Sequence, residues 1–226
     1  MTETTLASGG AASSVDAAEH FEDMTRQAHA ARLGMWVFLA SEVLFFAGLF
    51  ALYATYRVEH PDGFGEGVLH NTLVWGSINT GVLLVSSYCI ALAVHALRRG
   101  QIKTAVRLTG LTIACGFAFL GIKTHEYLEH FREGIYPGGV GDFFHAHKEP
   151  GIEMFFTLYF CMTGLHAIHV IVGMGVLAFL LSKLVRGQIT PMASHPLAIG
   201  AVYWHLVDAI WIFLWPLFYL VPGTAK

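Results

Sequence analysis

The sequence predicts an all-α integral membrane protein, a bundle of five transmembrane helices. Three observations carry this. Apolar residues make up 55% of the 226 positions and charged residues only 13%, and a soluble fold of this size has no core large enough to hide that surface. Five stretches reach the roughly 20 apolar residues needed to cross a hydrocarbon layer about 30 Å thick. Between them the chain turns to Gly, Pro and charge, which is loop chemistry. The net charge of −3 gives no reason to expect nucleic acid or another polyanion as a partner.

The elements follow in order. Residues 1–32 hold no apolar run of signal-peptide type. They begin with Ser, Thr, Ala and Gly and turn acidic at Glu19, Glu22 and Asp23. A cytoplasmic tail is expected there, partly disordered and closing in an interfacial helix near Arg32, with a transmembrane domain over 33–226. The first span, Leu33–Tyr56, carries one charge, Glu42. The second, Thr72–Leu97, carries none. The third, Thr104–Tyr127, carries Arg107 near its start and Lys123 and Glu126 near its end. The fourth, Gly151–Leu181, carries only Glu153, and the fifth, Leu197–Val221, only Asp208, with Pro216 expected to bend it. Loops are expected at Pro61-Asp62-Gly63, Arg98-Arg99-Gly100, Pro137-Gly138-Gly139 and Gly187–Pro196.

Lys and Arg set the orientation. One side holds eight (Arg26, Arg32, Arg98, Arg99, Lys103, Arg107, Lys183, Arg186) and the other four (Arg57, Arg132, Lys148, Lys226). The N-terminus is therefore expected in the cytoplasm and the C-terminus outside. No repeat of transporter type appears.

Charges inside a bilayer cost at least about 2.5 kcal/mol each, so each is a functional candidate. Glu42 is the deepest, read either as a proton-exchanging or ligand-binding carboxyl or as one hydrogen-bonded to a neighbouring helix. Lys123 and Glu126, three apart, share a helix face and are expected to form an ion-pair clasp with Glu153. His166 and His169 share a face of the fourth span, and His205 and Asp208 a face of the fifth. Hydrogen bonding between helices is favoured over metal ligation for these, and the absence of any Glu-x-x-His excludes a di-iron carboxylate bundle. His145-x-His147 reads as a solvated pair in an outer loop. Cys89, Cys115 and Cys161 stand alone in separate apolar runs and read as buried structural thiols.

Four blocks together resemble subunit III of the haem-copper oxidases, the cytochrome c oxidase subunit 3 family. They are Gly34-Met35-Trp36-Val37-Phe38-Leu39-Ala40-Ser41-Glu42-Val43-Leu44-Phe45-Phe46, Gly121-Ile122-Lys123-Thr124-His125-Glu126-Tyr127, Thr163-Gly164-Leu165-His166-Ala167-Ile168-His169-Val170, and Tyr203-Trp204-His205-Leu206-Val207-Asp208-Ala209-Ile210-Trp211. The likeness runs from Arg32 to Leu220. It implies an accessory, non-redox subunit of a proton-pumping terminal oxidase in a bacterial inner (plasma) membrane. Haem and copper then belong to subunits I and II, and this chain binds phospholipid but no metal. Glu42 matches the family's carbodiimide-reactive carboxyl, Lys183 a basic residue that meets a lipid headgroup, and His169 and Glu126 positions near the lipid cleft. The mitochondrial form resembles a seven-helix protein, so the five spans here correspond to a short form. Lys123 departs from the neutral polar residue many relatives carry. The resemblance leaves open whether cytochrome c or quinol feeds the complex, or whether it belongs with nitric-oxide-reductase-related assemblies. An independent membrane carrier and a stand-alone metalloenzyme are the readings of other classes.

Overall fold

The computed structural model describes residues 24–220. The expected tail therefore lies outside the described residues over 1–23, and so does Val221, the expected end of the fifth span. Seven α-helices appear among the described residues: α1 (Met24–Glu59), α2 (Pro61–His70), α3 (Leu73–Arg98), α4 (Ile102–Arg132), α5 (Asp142–Ala146), α6 (Ile152–Val185) and α7 (His195–Trp215). Five of them are long and apolar enough to cross a membrane, α7 continuing through a π-helical turn to Leu220.

Span boundaries agree within about two residues except where a helix outruns its apolar stretch. Helix α1 starts nine residues before Leu33, and α4 ends five after Tyr127. Hydropathy marks the part of a helix that lies in hydrocarbon. The backbone hydrogen bonds that make the helix do not stop there.

The expected Arg98-Arg99-Gly100 turn is present as a helix C-cap. Gly100 takes φ 77°, its N–H donates to Leu97 O, and the Gln101 N–H donates to Ala96 O. This paired 5→2 and 6→1 pattern needs a left-handed residue that glycine supplies without a Cβ clash. The same motif ends α4 at Gly134 and α6 at Gly187. The Pro61-Asp62-Gly63 loop, in contrast, is a correction. Pro61 opens α2, where the missing N–H costs nothing because the first helical N–H groups have no intrahelical partner.

Helices α3, α4, α6 and α7 pack as a closed ring, α3 against α4 and α7, and α6 against α4 and α7. Trp204, Trp211, Phe119 and Tyr159 fill its middle with no exposed surface. The indole N–H groups are satisfied across the ring, Trp204 donating to Ser86 Oγ and Trp211 to Thr80 Oγ1, each at 3.0 Å. Helix α1 lies outside the ring along α6 and α7. Its lipid-length window is only 11% buried, leaving Trp36, Val37, Leu44 and Phe45 exposed. Helices α2 and α5 sit at the end where α1 and α4 finish, α2 packing on α6.

The cysteines are free thiols. Cys89 is buried as expected, Cys115 is half-buried, and Cys161 is exposed on the outer face of α6. An apolar run predicts residence in lipid, not which face of the helix meets the core.

Candidate functional site

Polar side chains gather at two places in this apolar frame. The first lies on the seam between α1 and α6. Glu42 is near the middle of α1 and His169 near the middle of α6, so their meeting falls at mid-depth of the bundle. Glu42 Oε2 stands 2.8 Å from His169 Nε2, and the side chains are 18% and 17% exposed. His169 Nδ1 is 2.8 Å from the Leu165 carbonyl one turn back. A carbonyl only accepts, so Nδ1 carries a hydrogen. The short Nε2···Oε2 contact then requires a further proton between the two groups. Either the acid holds it or the imidazole does. In both forms the pair is neutral overall and contains exactly one proton that can pass between nitrogen and oxygen. Phe46 meets the imidazole edge-on at 5.5 Å, and Tyr203 donates from its hydroxyl to the His169 carbonyl at 3.2 Å. The first steadies the ring and the second the backbone that carries it.

The second assembly lies inside the ring, towards the α2 and α5 end. Lys123 donates to Glu126 Oε2 at 3.1 Å, to Tyr159 Oη at 2.9 Å and to Tyr219 Oη at 2.6 Å. Both tyrosine hydroxyls donate to Glu126 Oε1. Lys123 is 3% exposed and Glu126 2%. Every ammonium hydrogen has a partner and both carboxylate oxygens accept, which is the condition under which a buried pair is tolerated. The ammonium also lies 4.6 Å from the Tyr159 ring centre. Tyr219 reaches the network because the π-helical turn Pro216–Leu220 carries the chain inward.

The other expected site residues are dispersed. Glu153 does not join the clasp with Lys123 and Glu126. It is exposed in the first turn of α6, where Ile152, Phe155, Phe156 and Tyr159 take the buried face. Glu126 sits inside the network rather than on a lipid-facing surface. Lys183 lies at the far end of α6, its Nζ 4.7 Å over the Phe179 ring, about 21 Å along the helix from His169 at 1.5 Å per residue. The membrane histidines do not converge on one point. His205 shares a 2.6 Å hydrogen bond with Ser87 across α3 and α7, and His166 is wedged between Phe119 and Trp211. Asp208 is buried beside Ser86 and Ser87.

Sequence reasoning missed Tyr159 and Tyr219. The available signal was that a buried phenol needs a hydrogen-bond partner. It also missed that His147, 34% exposed at its side chain, stacks on Phe143 at 4.1 Å and faces Glu66.

Known proteins match this chain along nearly its whole length. Residues 16–222 match the family model described as Cytochrome c oxidase subunit III. A Quinol oxidase subunit 3 from Bacillus spizizenii is 30% identical over 84% of this chain and 86% of its own. A Cytochrome c oxidase subunit 3 from Corynebacterium diphtheriae is 30% identical, covering 84% of this chain and 87% of its own. One from Thermostichus vulcanus is 31% identical over 96% of this chain and 97% of its own. With family model, relatives and five apolar helices in agreement, the chain belongs to the cytochrome c oxidase subunit III family, the subunit III of haem-copper oxidases.

Proposed function

We propose that the chain is an accessory, non-redox subunit of a proton-pumping haem-copper oxidase in a bacterial inner membrane. It sits against subunits I and II, leaves haem and copper to them, holds phospholipid, and supports proton uptake by the catalytic subunit. The observation that carries the reading is the Glu42–His169 pair. A mid-depth carboxyl that shares one proton with an imidazole holds a transferable proton in hydrocarbon while the pair as a whole stays neutral.

Three further observations support it. The apolar, unpartnered side of α1 offers a surface for neighbouring subunits or lipid tails. Lys183, at the end where Arg98, Arg99 and Arg186 also lie, suits a lipid phosphate. The excess of Lys and Arg at that end supports a cytoplasmic orientation for it. Cytochrome c is the electron donor preferred here. The Bacillus relatives named as quinol oxidase subunits favour quinol as the second reading.

The test is the purified complex, assayed with reduced cytochrome c and with quinol, as wild type and as Glu42→Gln. The amide of Gln still donates to His169 but holds no transferable proton. The expected outcome is intact assembly, with slower proton uptake or a shorter active lifetime in the variant. Unchanged rate and lifetime over many turnovers would remove the proton role, and turnover with quinol alone would replace the donor.

A further inference from the structure

Among the described residues, one cluster of metal-ligating side chains lies outside both assemblies, at the α2 and α5 end. Glu66 and His70 are four apart on α2 and so share a face. His147 comes from the chain after α5. One ligating atom from each of the three lies within 4.8 Å of the other two. His147 Nδ1 is 3.1 Å from the Phe143 carbonyl, so Nδ1 carries the hydrogen and Nε2 presents its lone pair. That lone pair looks at Glu66 Oε1 across 3.7 Å. Two acceptors facing each other over such a gap call for a cation between them. His70 crosses His147 at 88° with centroids 5.3 Å apart, and its edge-on contact with Phe143 at 4.9 Å steadies it.

We propose that Glu66, His70 and His147 bind a zinc-type divalent metal ion that ties the α1–α3 connection to the α4–α6 connection. Two imidazoles and a carboxylate are a borderline-soft donor set, suited to zinc with one position left for water. Zinc holds such donors at about 2.0–2.2 Å, hence roughly 3.3 Å from one another. The platform is firm because α2 is seated on α6: a Cβ at Gly63 or Gly67 would strike the Pro150 carbonyl or the Phe155 ring. His147 also borders a cavity of about 620 Å³, which admits a water ligand.

The proposal stands apart from any role in an oxidase, and its test needs only the full chain, purified in detergent without a polyhistidine tag. Zn²⁺ is titrated by equilibrium dialysis, and Co²⁺ serves as the optical reporter. One equivalent of Zn²⁺ per chain and intense low-coordinate Co²⁺ bands are expected. His70→Ala and His147→Ala should each weaken Zn²⁺ more than about tenfold and abolish the bands. Glu66→Gln, which keeps the side-chain volume, should weaken Zn²⁺ as well. Metal-free melting curves of each variant show whether it folds. Equal Zn²⁺ binding by wild type and the folded variants would overturn the proposal, placing the metal on others of the thirteen histidines. No Zn²⁺ binding at all would overturn it too, leaving an imidazolium–carboxylate pair of His147 and Glu66.

Discussion

At the scale of residues, the two polar assemblies solve the same problem differently. Glu42 and His169 share a proton and remain less than one-fifth exposed on a seam. Lys123 and Glu126 are enclosed, and two tyrosines complete their hydrogen bonding. Removing one member of such a pair leaves the other charge buried without compensation, at about 3–5 kcal/mol. Lys123→Met is therefore expected to destabilise the chain by that amount, and adding Glu126→Gln to recover part of the loss. Thermal unfolding of the two variants in detergent checks the order. The polar residues of these assemblies were legible in the sequence because charge in an apolar run is conspicuous. Their partners were less so. Glu42 and His169 are 127 positions apart, and nothing in residue spacing links them. Tyr159 and Tyr219 were hidden among aromatic neighbours that serve only to pack.

At the scale of elements, hydropathy located the spans and the breaks between them, but not the short helices α2 and α5 inside two of those breaks. A Gly- and Pro-bearing segment such as Pro61–Gly67 reads as loop, yet the glycines of α2 serve close approach to α6. In Gly67 the missing side chain makes room for Phe155, which is fully buried against Phe64, Phe156 and Phe218. Gly67→Val should lower stability by about 1–3 kcal/mol through overpacking. Gly81→Ala, with nothing within 4 Å of its new methyl, should be neutral or stabilising by up to about 1 kcal/mol. Melting temperatures of the pair separate a packing glycine from a spare one. The glycines of the helices thus divide into two kinds that composition does not distinguish.

At the scale of the whole molecule, the chain is a four-helix ring with a fifth helix laid along its side. The count of five followed from composition, whereas the ring did not, because which helices adjoin is decided by side-chain fit. The orientation inferred from Lys and Arg makes a direct prediction. Single cysteines at Asp62 and His145, in an otherwise cysteine-free chain, should react with a membrane-impermeant maleimide added outside intact cells. One at Gln188 should react only after the membrane is opened. The reverse pattern would invert the topology.

The Glu42–His169 pair also has a consequence in time. A chain is made from its N-terminus at about 5–20 residues per second, so the 127 positions between the two take roughly 6–25 s to synthesise. Throughout that interval α1 exists without the imidazole it will meet. A polar group in hydrocarbon without a partner costs free energy, so until α6 arrives α1 carries that cost alone. Assembly removes it as the seam closes.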